Sequence, residues 1–423
     1  MIVIFDIINK LLWGITTILL VSSGIYFSKK LQFPQFNIKK MVKSLFDDKN
    51  KDISPFKTLM LSLAARVGVG SLAGVALAIY IGGPGTIFWM WISTIIVVPN
   101  AYAESYLSVL FHKKRNGAYE GGPFYYIEKG LNKKNLAKMY SILVIIVYIL
   151  GFTTIQTNTI AISFHNFSNI PQLVVGLFVA LLTAVVIFGG GKSIIETSSK
   201  IMPFIGGLFL VFSSYIILSN ITKIPSILIL IIKSAFNIKA MGIGILIPFI
   251  IGVQRGIFSN EAGVGTGGIA AATVDSNDAK GQGYIQMLGV YFTSLVLCTL
   301  TALIILLCDY SVNNLQNING IEITQYALRY HLGTIGALLL LITVFIFAFS
   351  TIISGYYYGE ISISYLNPNR GGKHSILKII TIVLLIIGSI AKPNLLWNVV
   401  DVGIAILAII NTYALFKLRN KIK

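Results

Sequence analysis

The sequence predicts an all-α membrane protein of about eleven transmembrane helices. They form two inverted five-helix repeats, each opening on a broken helix, plus an extra N-terminal helix. Three observations carry this. Mean hydropathy is +0.81, with 55% of residues hydrophobic and 11% charged, and a soluble domain of this length cannot hide so much apolar surface. The apolar residues fall in runs of about 20, the length of a membrane helix, and not in the alternating segments of about ten that mark a membrane barrel. Two of the runs are interrupted by clusters of glycine.

The spans run over 10–28, 57–81, 86–111, 138–161, 171–189, 198–219, 241–272, 283–308, 335–360, 375–391 and 394–417. The first follows "MIVIFDIINK", which is not basic and shows no small-residue cleavage site, so it reads as a mature helix rather than a signal peptide. Setting it aside leaves 57–219 and 241–417 as two sets of five spans with opposite topology. The apolar segment 224–238 between them is short and reads as an external interfacial helix. No linker rich in Pro, Gly or Ser divides the chain, so 1–423 reads as one transporter-sized membrane domain.

Loop charge sets the orientation. The segments Lys29–Lys57 and Lys113–Lys138 and the tail "KLRNKIK" hold most of the lysines, and eleven spans put all three on one side. By the positive-inside rule that side is the cytoplasm, with the N-terminus outside and the C-terminus inside a plasma membrane. The other side has scattered cations, Lys223, Lys233, Lys239 and Lys392. The net charge of +18 is therefore a membrane pattern and no sign of a nucleic-acid partner. Cys298 and Cys308 share one apolar run and read as free thiols. His112, His165, His331 and His374 have no metal-ligand spacing.

The broken helices are where chemistry is expected. One contains "RVGVGSLAG" and the other "GVQRGIFSNEAGVGTGG". Glycine costs about 1 kcal/mol against alanine in a helix, and an unpaired backbone group in lipid costs several more. Unwound backbone is tolerated where it lines a cavity: freed amides hold a carboxylate, and freed carbonyls hold a cation. Gly68 and Gly70 read as such a break. Gly74 by itself reads as close helix packing.

The stretches "AARVGVGSLAGVALAIYIGGPGTIFWMW", "EGGPFYYIEKGL", "RGIFSNEAGVGTGGIAAAT" and "QMLGVYFTSLVLCTLTALIIL" resemble the alanine or glycine:cation symporter family. The resemblance covers most of the chain and implies a leucine-transporter-like fold and uptake of a small neutral amino acid with sodium. It implies that the amides near Val69 and Gly70 hold the substrate carboxylate. The family usually has "GTGN" where Gly68–Ser71 reads "GVGS", so Val69 and Ser71 lack the usual threonine hydroxyl and asparagine amide. Gln156, beside Asn158, matches a substrate-contacting glutamine; without the family it would read equally as an interhelical amide. Phe258, Ser259 and Asn260 fall in the second break, with Phe258 expected to cap a small side-chain pocket or, alternatively, to be a core aromatic. Ser350 and Thr351, with the carbonyls of Ala64 and Val67, match a sodium site of hard oxygen ligands. The alternative for the two hydroxyls is bonding back to their own helix.

The intramembrane charges are Arg66, Glu104, Arg255, Glu261 and Asp401. Such groups pair or face water. Arg66, Glu104 and Glu261 fall at similar depth, so Arg66 is expected to pair with Glu261 or Glu104, as a gate or as a structural pair. No catalytic triad, metal cluster or phosphate loop suggests an enzyme, and no organic cofactor is expected beside sodium as co-transported cation. The expected partners are the amino acid, sodium and the bilayer. Two rivals stand beside symport. A proton-coupled carrier would need a carboxylate at the cation site, for which Glu261 is the candidate. An amino-acid sensor would need an output domain, and the loops and tail are short.

Overall fold

The computed structural model describes residues 2–46, 52–115, 117–236, 246–308, 320–368 and 374–423. Lys239 and residues 241–245, the start of the seventh expected span, lie outside them. In chain order the helices begin with α1 (Ile2–Lys30), α2 (Ile38–Phe46) and α3 (Pro55–Arg66). Then come α4 (Ala73–Gly82) and α5 (Gly85–Leu110), a two-stranded hairpin of β1 (Lys113–Arg115) and β2 (Ala118–Glu120), and α6 (Pro123–Leu131). The next are α7 (Lys134–Ile145), α8 (Thr153–Ser168), α9 (Gln172–Phe188), α10 (Gly190–Ser219) and α11 (Ile224–Ala235). The chain continues with α12 (Leu246–Asn260), α13 (Gly267–Ala271), α14 (Ala279–Tyr291) and α15 (Thr299–Leu307). It ends with α16 (Gly320–Leu366), α17 (Ser375–Ser389) and α18 (Pro393–Lys417).

Among the described residues, seven helices are long and apolar enough to cross a membrane, or eight if the bent pair Pro55–Arg66 and Val69–Gly82 is one span. α9 and α17 are shorter apolar helices. The residue distribution is that of a protein dissolved in lipid. Leu177, Phe178, Leu181 and Val185 of α9 face outward, while Gln156, Glu104, Arg66 and Asp401 are buried. Polar groups go inside because hydrocarbon offers them no partner.

Local chemistry places the ends and bends. Pro55 occupies the first turn of α3, where its missing N–H costs nothing, and Ser54 Oγ accepts from the Lys57 amide at 3.4 Å. α16 is two helices joined at Gly333, whose φ of 61° only glycine adopts freely. Two wide turns interrupt long helices: Ile146–Phe152 between α7 and α8, and Phe292–Cys298 between α14 and α15. Each wide turn shifts the rotation of the residues after it. Gln156 and Cys298 both owe their facing to such a turn.

Several elements were not legible in the loops. α2, α6 and the β1–β2 hairpin lie in segments expected to be plain cytoplasmic loops. The hairpin is pinned to the end of α16, where Arg115 Nη1 donates to Ser364 O at 2.8 Å. Of the 224–238 segment, Ile224–Ala235 forms the short helix α11, and residues 237–238 lie outside the described residues. Gly74 also differs from expectation. A methyl group there would meet Trp397 at 3.8 Å, ordinary contact, so close packing does not require glycine at that point.

Candidate functional site

α3 stops at Arg66, and the chain bends by 63° before continuing through the short turn Val69–Ser71 into α4. Val67 has already left helical geometry, at φ −86° and ψ 75°, which turns its carbonyl away from the ladder. The Gly68 N–H donates to Arg66 O at 3.0 Å instead of reaching back a full turn. Side chains meet the Ala64 carbonyl: Thr351 Oγ1 donates to it at 2.9 Å, and Ser350 Oγ lies 3.4 Å away. Both hydroxyls also approach Phe347 O of their own helix, at 3.0 and 2.8 Å. So the two alternatives for these residues coexist. Each hydroxyl has one proton to give, and its lone pairs remain for a hard cation.

Gln156 sits on the other side of this turn. Its Oε1 accepts from the Val69 amide at 3.0 Å. That amide, expected for the substrate carboxylate, is held here by glutamine. Gly68 has no room for a side chain, since a Cβ would lie 2.9 Å from both terminal atoms of Gln156 and would overlap Thr351 Oγ1. Asn158 faces away and ties α8 to α17, donating to Gly388 O at 3.0 Å and Ala391 O at 2.7 Å.

The second break runs from the end of α12 to the start of α13. Glu261, Gly263 and Gly265 all have positive φ, of 56°, 81° and 103°. Asn260 holds this turn together. Its Oδ1 accepts from the Ala262 amide at 2.9 Å and its Nδ2 donates to Ser294 Oγ at 2.8 Å. The Asn260 amide thus holds the turn at both ends. Phe258 stacks between Phe152, 5.3 Å away, and Trp397, 4.8 Å away. Its ring closes directly on Gly70, where a Cβ would stand 2.9 Å from Phe258 and 3.2 Å from Ser259 Oγ. Ser71 and Ser259 are fully buried, and among the described residues neither hydroxyl has an oxygen or nitrogen partner. The buried Cys298 thiol lies beside both. The sequence reading gave Cys298 only as a free thiol and missed its place beside the breaks, which it takes at the end of the wide turn Phe292–Cys298.

Arg66, Glu104 and Glu261 come together, but the expected ion pair is not closed. Among the described residues the ion pairs within 4.0 Å are Arg115–Glu120 and Arg255–Asp401. Arg66 Nη1 donates to Gln286 O at 3.2 Å, while its Nε and Nη2 have no partner. Each carboxylate is turned to a neutral donor: Glu104 Oε2 to Asn411 Nδ2 and Glu261 Oε2 to Thr266 Oγ1, both at 2.9 Å. Each keeps one buried oxygen without a partner. Gly267 is wedged at this point, with its missing Cβ overlapping Arg66 Nη2 and 3.5 Å from Glu104 Oε1.

The closed pair is Arg255 with Asp401, Nη2 to Oδ2 at 2.5 Å. The Arg255 guanidinium also lies 5.6 Å from the Phe258 ring centroid and 5.1 Å from that of Trp397. Trp13 of α1 donates to Asp401 O at 3.2 Å. The signal for this pair was present in the sequence. With Arg66 and the two glutamates grouped, Arg255 and Asp401 were the remaining intramembrane charges, and of opposite sign.

Two broken helices that present freed carbonyls and buried hydroxyls between two groups of buried charge define a multi-pass secondary transporter. The chain belongs to the sodium:alanine symporter family, whose profile matches residues 1–423. It is 37% identical over 422 residues to the probable sodium/glutamine symporter GlnT of Bacillus subtilis, covering 98% of this chain and 88% of that one. It is 33% identical over 428 residues to the sodium/alanine symporter AgcS of Methanococcus maripaludis, covering 97% and 93%. A solved structure of a sodium-coupled sialic acid symporter, substrate-bound and outward-open, matches 97% of this chain and 80% of its own. Its TM-score is 0.50 and its identity 14%, so that likeness speaks to fold alone. The family and these relatives are sodium-coupled transporters of amino acids, not enzymes.

Proposed function

We propose that this protein imports a small neutral amino acid, alanine or glycine, together with sodium by alternating access. The observation that carries it is the meeting of Thr351 and Ser350 hydroxyls on the freed Ala64 carbonyl, directly behind Gly68. With the Val67 carbonyl they make an all-oxygen set suited to sodium. Substrate binds next to it, its carboxylate on the amides of Val69 and Gly70 as Gln156 yields the Val69 amide. Ser71 and Ser259 line the same pocket. The ring of Phe258, held by Phe152 and Trp397, would cap a side-chain pocket of methyl size. This favours alanine or glycine over glutamine.

Eleven spans follow if α9, α17 and the broken pair α12–α13 each cross the membrane beside the seven long helices and the bent pair. α3–α4 and α12–α13 open two inverted five-span repeats, and α1 stands outside them. The short helix α6 and the first arm of α16, before Gly333, fall at matching places in the two halves. With the N-terminus outside, α12 descends from the outer face. Arg255–Asp401 then closes the path above Phe258, and Arg66 with Glu104 and Glu261 lies below the breaks. Rocking of the repeats exchanges which group is closed. One charge crossing about 100 mV gains about 2.3 kcal/mol, and a roughly tenfold sodium gradient adds about 1.4. Their total of about 3.7 kcal/mol sustains a few-hundred-fold gradient of a zwitterion.

Uptake of labelled alanine into proteoliposomes tests the reading, with sodium and proton gradients imposed separately and with glutamine and glycine as competitors. Sodium-driven accumulation blocked by glycine is expected. Accumulation driven by protons alone would move the coupling to Glu261, whose free carboxylate oxygen is the feature that favours that alternative. Binding without accumulation would make the protein a sensor.

A further inference from the structure

A cavity of about 420 Å³ lies away from both breaks, and four lysines line it: Lys30, Lys40, Lys280 and Lys423, with Tyr102 and Tyr284. They come from four separate stretches, namely the end of α1, the middle of α2, the start of α14 and the last residue of the chain. Among the described residues no carboxylate lies within 4.0 Å of any of these amines. The acid of this region, Asp278, is spent on the first turn of α14, accepting from the Gly281 amide at 2.9 Å. The Tyr102 hydroxyl donates to Lys423 O at 2.9 Å, and Lys40 Nζ stands 5.8 Å from the Tyr284 ring centroid. Four lysine amines thus face the cavity against the main-chain carboxylate of Lys423, and the balance of charge is positive.

Apolar side chains of the adjoining stretch stand exposed: Phe33, Phe36, Ile38 and Val42 are 51%, 68%, 49% and 43% exposed. On α2 the exposed Ile38 and Val42 stand beside exposed Lys39, Lys40 and Lys43, the amphipathic composition of a helix lying in a membrane interface. The loop before α2 is held to keep this arrangement. Gln32 and Phe33 both take φ of 57°, a costly conformation for residues other than glycine. Ser28 and Tyr291 fix it: Gln35 Nε2 donates to Ser28 Oγ, and the Tyr291 hydroxyl donates to Gln35 O, both at 2.9 Å. The strain turns Phe33 outward while Pro34 and Gln35 stay buried.

We propose that this cavity binds an anionic phospholipid, its phosphate among Lys30, Lys40 and Lys280 and its acyl chains along Phe33 and Phe36. Clustered lysines at the interface supply the charge that a phosphate diester lacks a partner for in the bilayer, and the exposed aromatic side chains supply the apolar contact that a soluble anion would not use. The lipid would fasten α2 and the last residues of the chain to α14.

The test is native mass spectrometry and thermal denaturation of the full chain in detergent, titrated with phosphatidylglycerol, phosphatidylcholine or inorganic phosphate. Affinity for phosphatidylglycerol at least about tenfold above that for phosphatidylcholine is expected. The preference should vanish in the triple variant Lys30→Gln, Lys40→Gln, Lys280→Gln and persist in Lys39→Gln, Lys43→Gln, which alters α2 outside the cavity. Equal retention of the two lipids by the unaltered protein would overturn the proposal, whether or not the triple variant folds. So would an unchanged preference in a folded triple variant. Inorganic phosphate that displaces the lipid and stabilises as well as it does would assign the cavity to a free anion and overturn the lipid as well.

Discussion

Thr351 and Gly68 meet so closely across the first break that a methyl group on the glycine would overlap the threonine hydroxyl. The hydroxyl also bridges two carbonyls, those of Ala64 and Phe347. Removing it leaves the ring of oxygens one ligand short without emptying the space, since valine has nearly the same shape. A hydrogen bond or ligand to a charged group is worth about 1.5–3 kcal/mol. Thr351→Val is therefore expected to raise the sodium concentration for half-maximal uptake by about tenfold or more. Substrate affinity at saturating sodium should move less. Initial uptake rates against sodium concentration check this, and an unchanged curve would take α16 out of the cation site. Phe258 makes the complementary case for the substrate. Its ring fills the space opposite Gly70, so Phe258→Ala should let valine or leucine compete with alanine. A folded, substrate-binding variant that still excludes them would leave Phe258 with a purely structural part. Arg255 and Asp401 behave differently, because their pairing is buried. Asp401→Asn leaves a buried guanidinium without its counter-charge, a loss of about 3–5 kcal/mol. The double variant Arg255→Met, Asp401→Leu should recover most of the thermal stability while changing transport. A double variant as unstable as the single one would show that the pair is not the unit that matters.

At the scale of elements, the breaks separate what was legible in the sequence from what was not. Gly70 and Gly74 look alike on paper, four residues apart in one apolar run. In the structure a Cβ on Gly70 would stand 2.9 Å from Phe258, whereas one on Gly74 would meet Trp397 at a comfortable 3.8 Å. Gly74→Ala should accordingly leave uptake near normal and add up to about 1 kcal/mol of helix stability. Gly70→Ala should abolish uptake with the protein still folded. Equal damage from both, measured by uptake and thermal denaturation, would return the pair to a packing motif. Helix content, the two interruptions and the buried charges could be read directly, because lipid forces long apolar runs and makes every exception conspicuous. The wide turns Ile146–Phe152 and Phe292–Cys298 could not, since nothing in "IVYILGF" or "FTSLVLC" departs from an ordinary apolar helix. Cys298 was therefore seen as a thiol in a span and not as a neighbour of Ser71 and Ser259. The Arg66 group was legible in membership but not in geometry: the neutral donors Thr266 and Asn411 each take a carboxylate oxygen, and Asn411 lies 307 residues from the Glu104 it holds.

For the whole molecule the consequence is how many ions each substrate costs to move. A second cation site beside the substrate would need hard oxygens near Ser71. The structure supplies two hydroxyls, of Ser71 and Ser259, but the neighbour beside both is the soft sulfur of Cys298. The nearby side-chain amide, that of Asn260, is already spent on Ala262 and Ser294. Serine is also shorter than the asparagine usual in the family at this place, so its oxygen stops further from any shared centre. Thiols favour soft metals and are poor ligands for sodium. The proposed group of Ala64, Val67, Ser350 and Thr351 would be an all-oxygen set. One sodium per amino acid is thus the expected ratio, with a driving force of about 3.7 kcal/mol at about 100 mV and a roughly tenfold gradient. Reversal potentials of reconstituted protein measure the ratio directly. A value of two would mean that Ser71 and Ser259 bind a second ion despite the thiol, through water or by a shift of the break. A value of one that rises in Ser71→Asn, and rises further when Cys298→Thr is added, would trace the missing ion to these two positions.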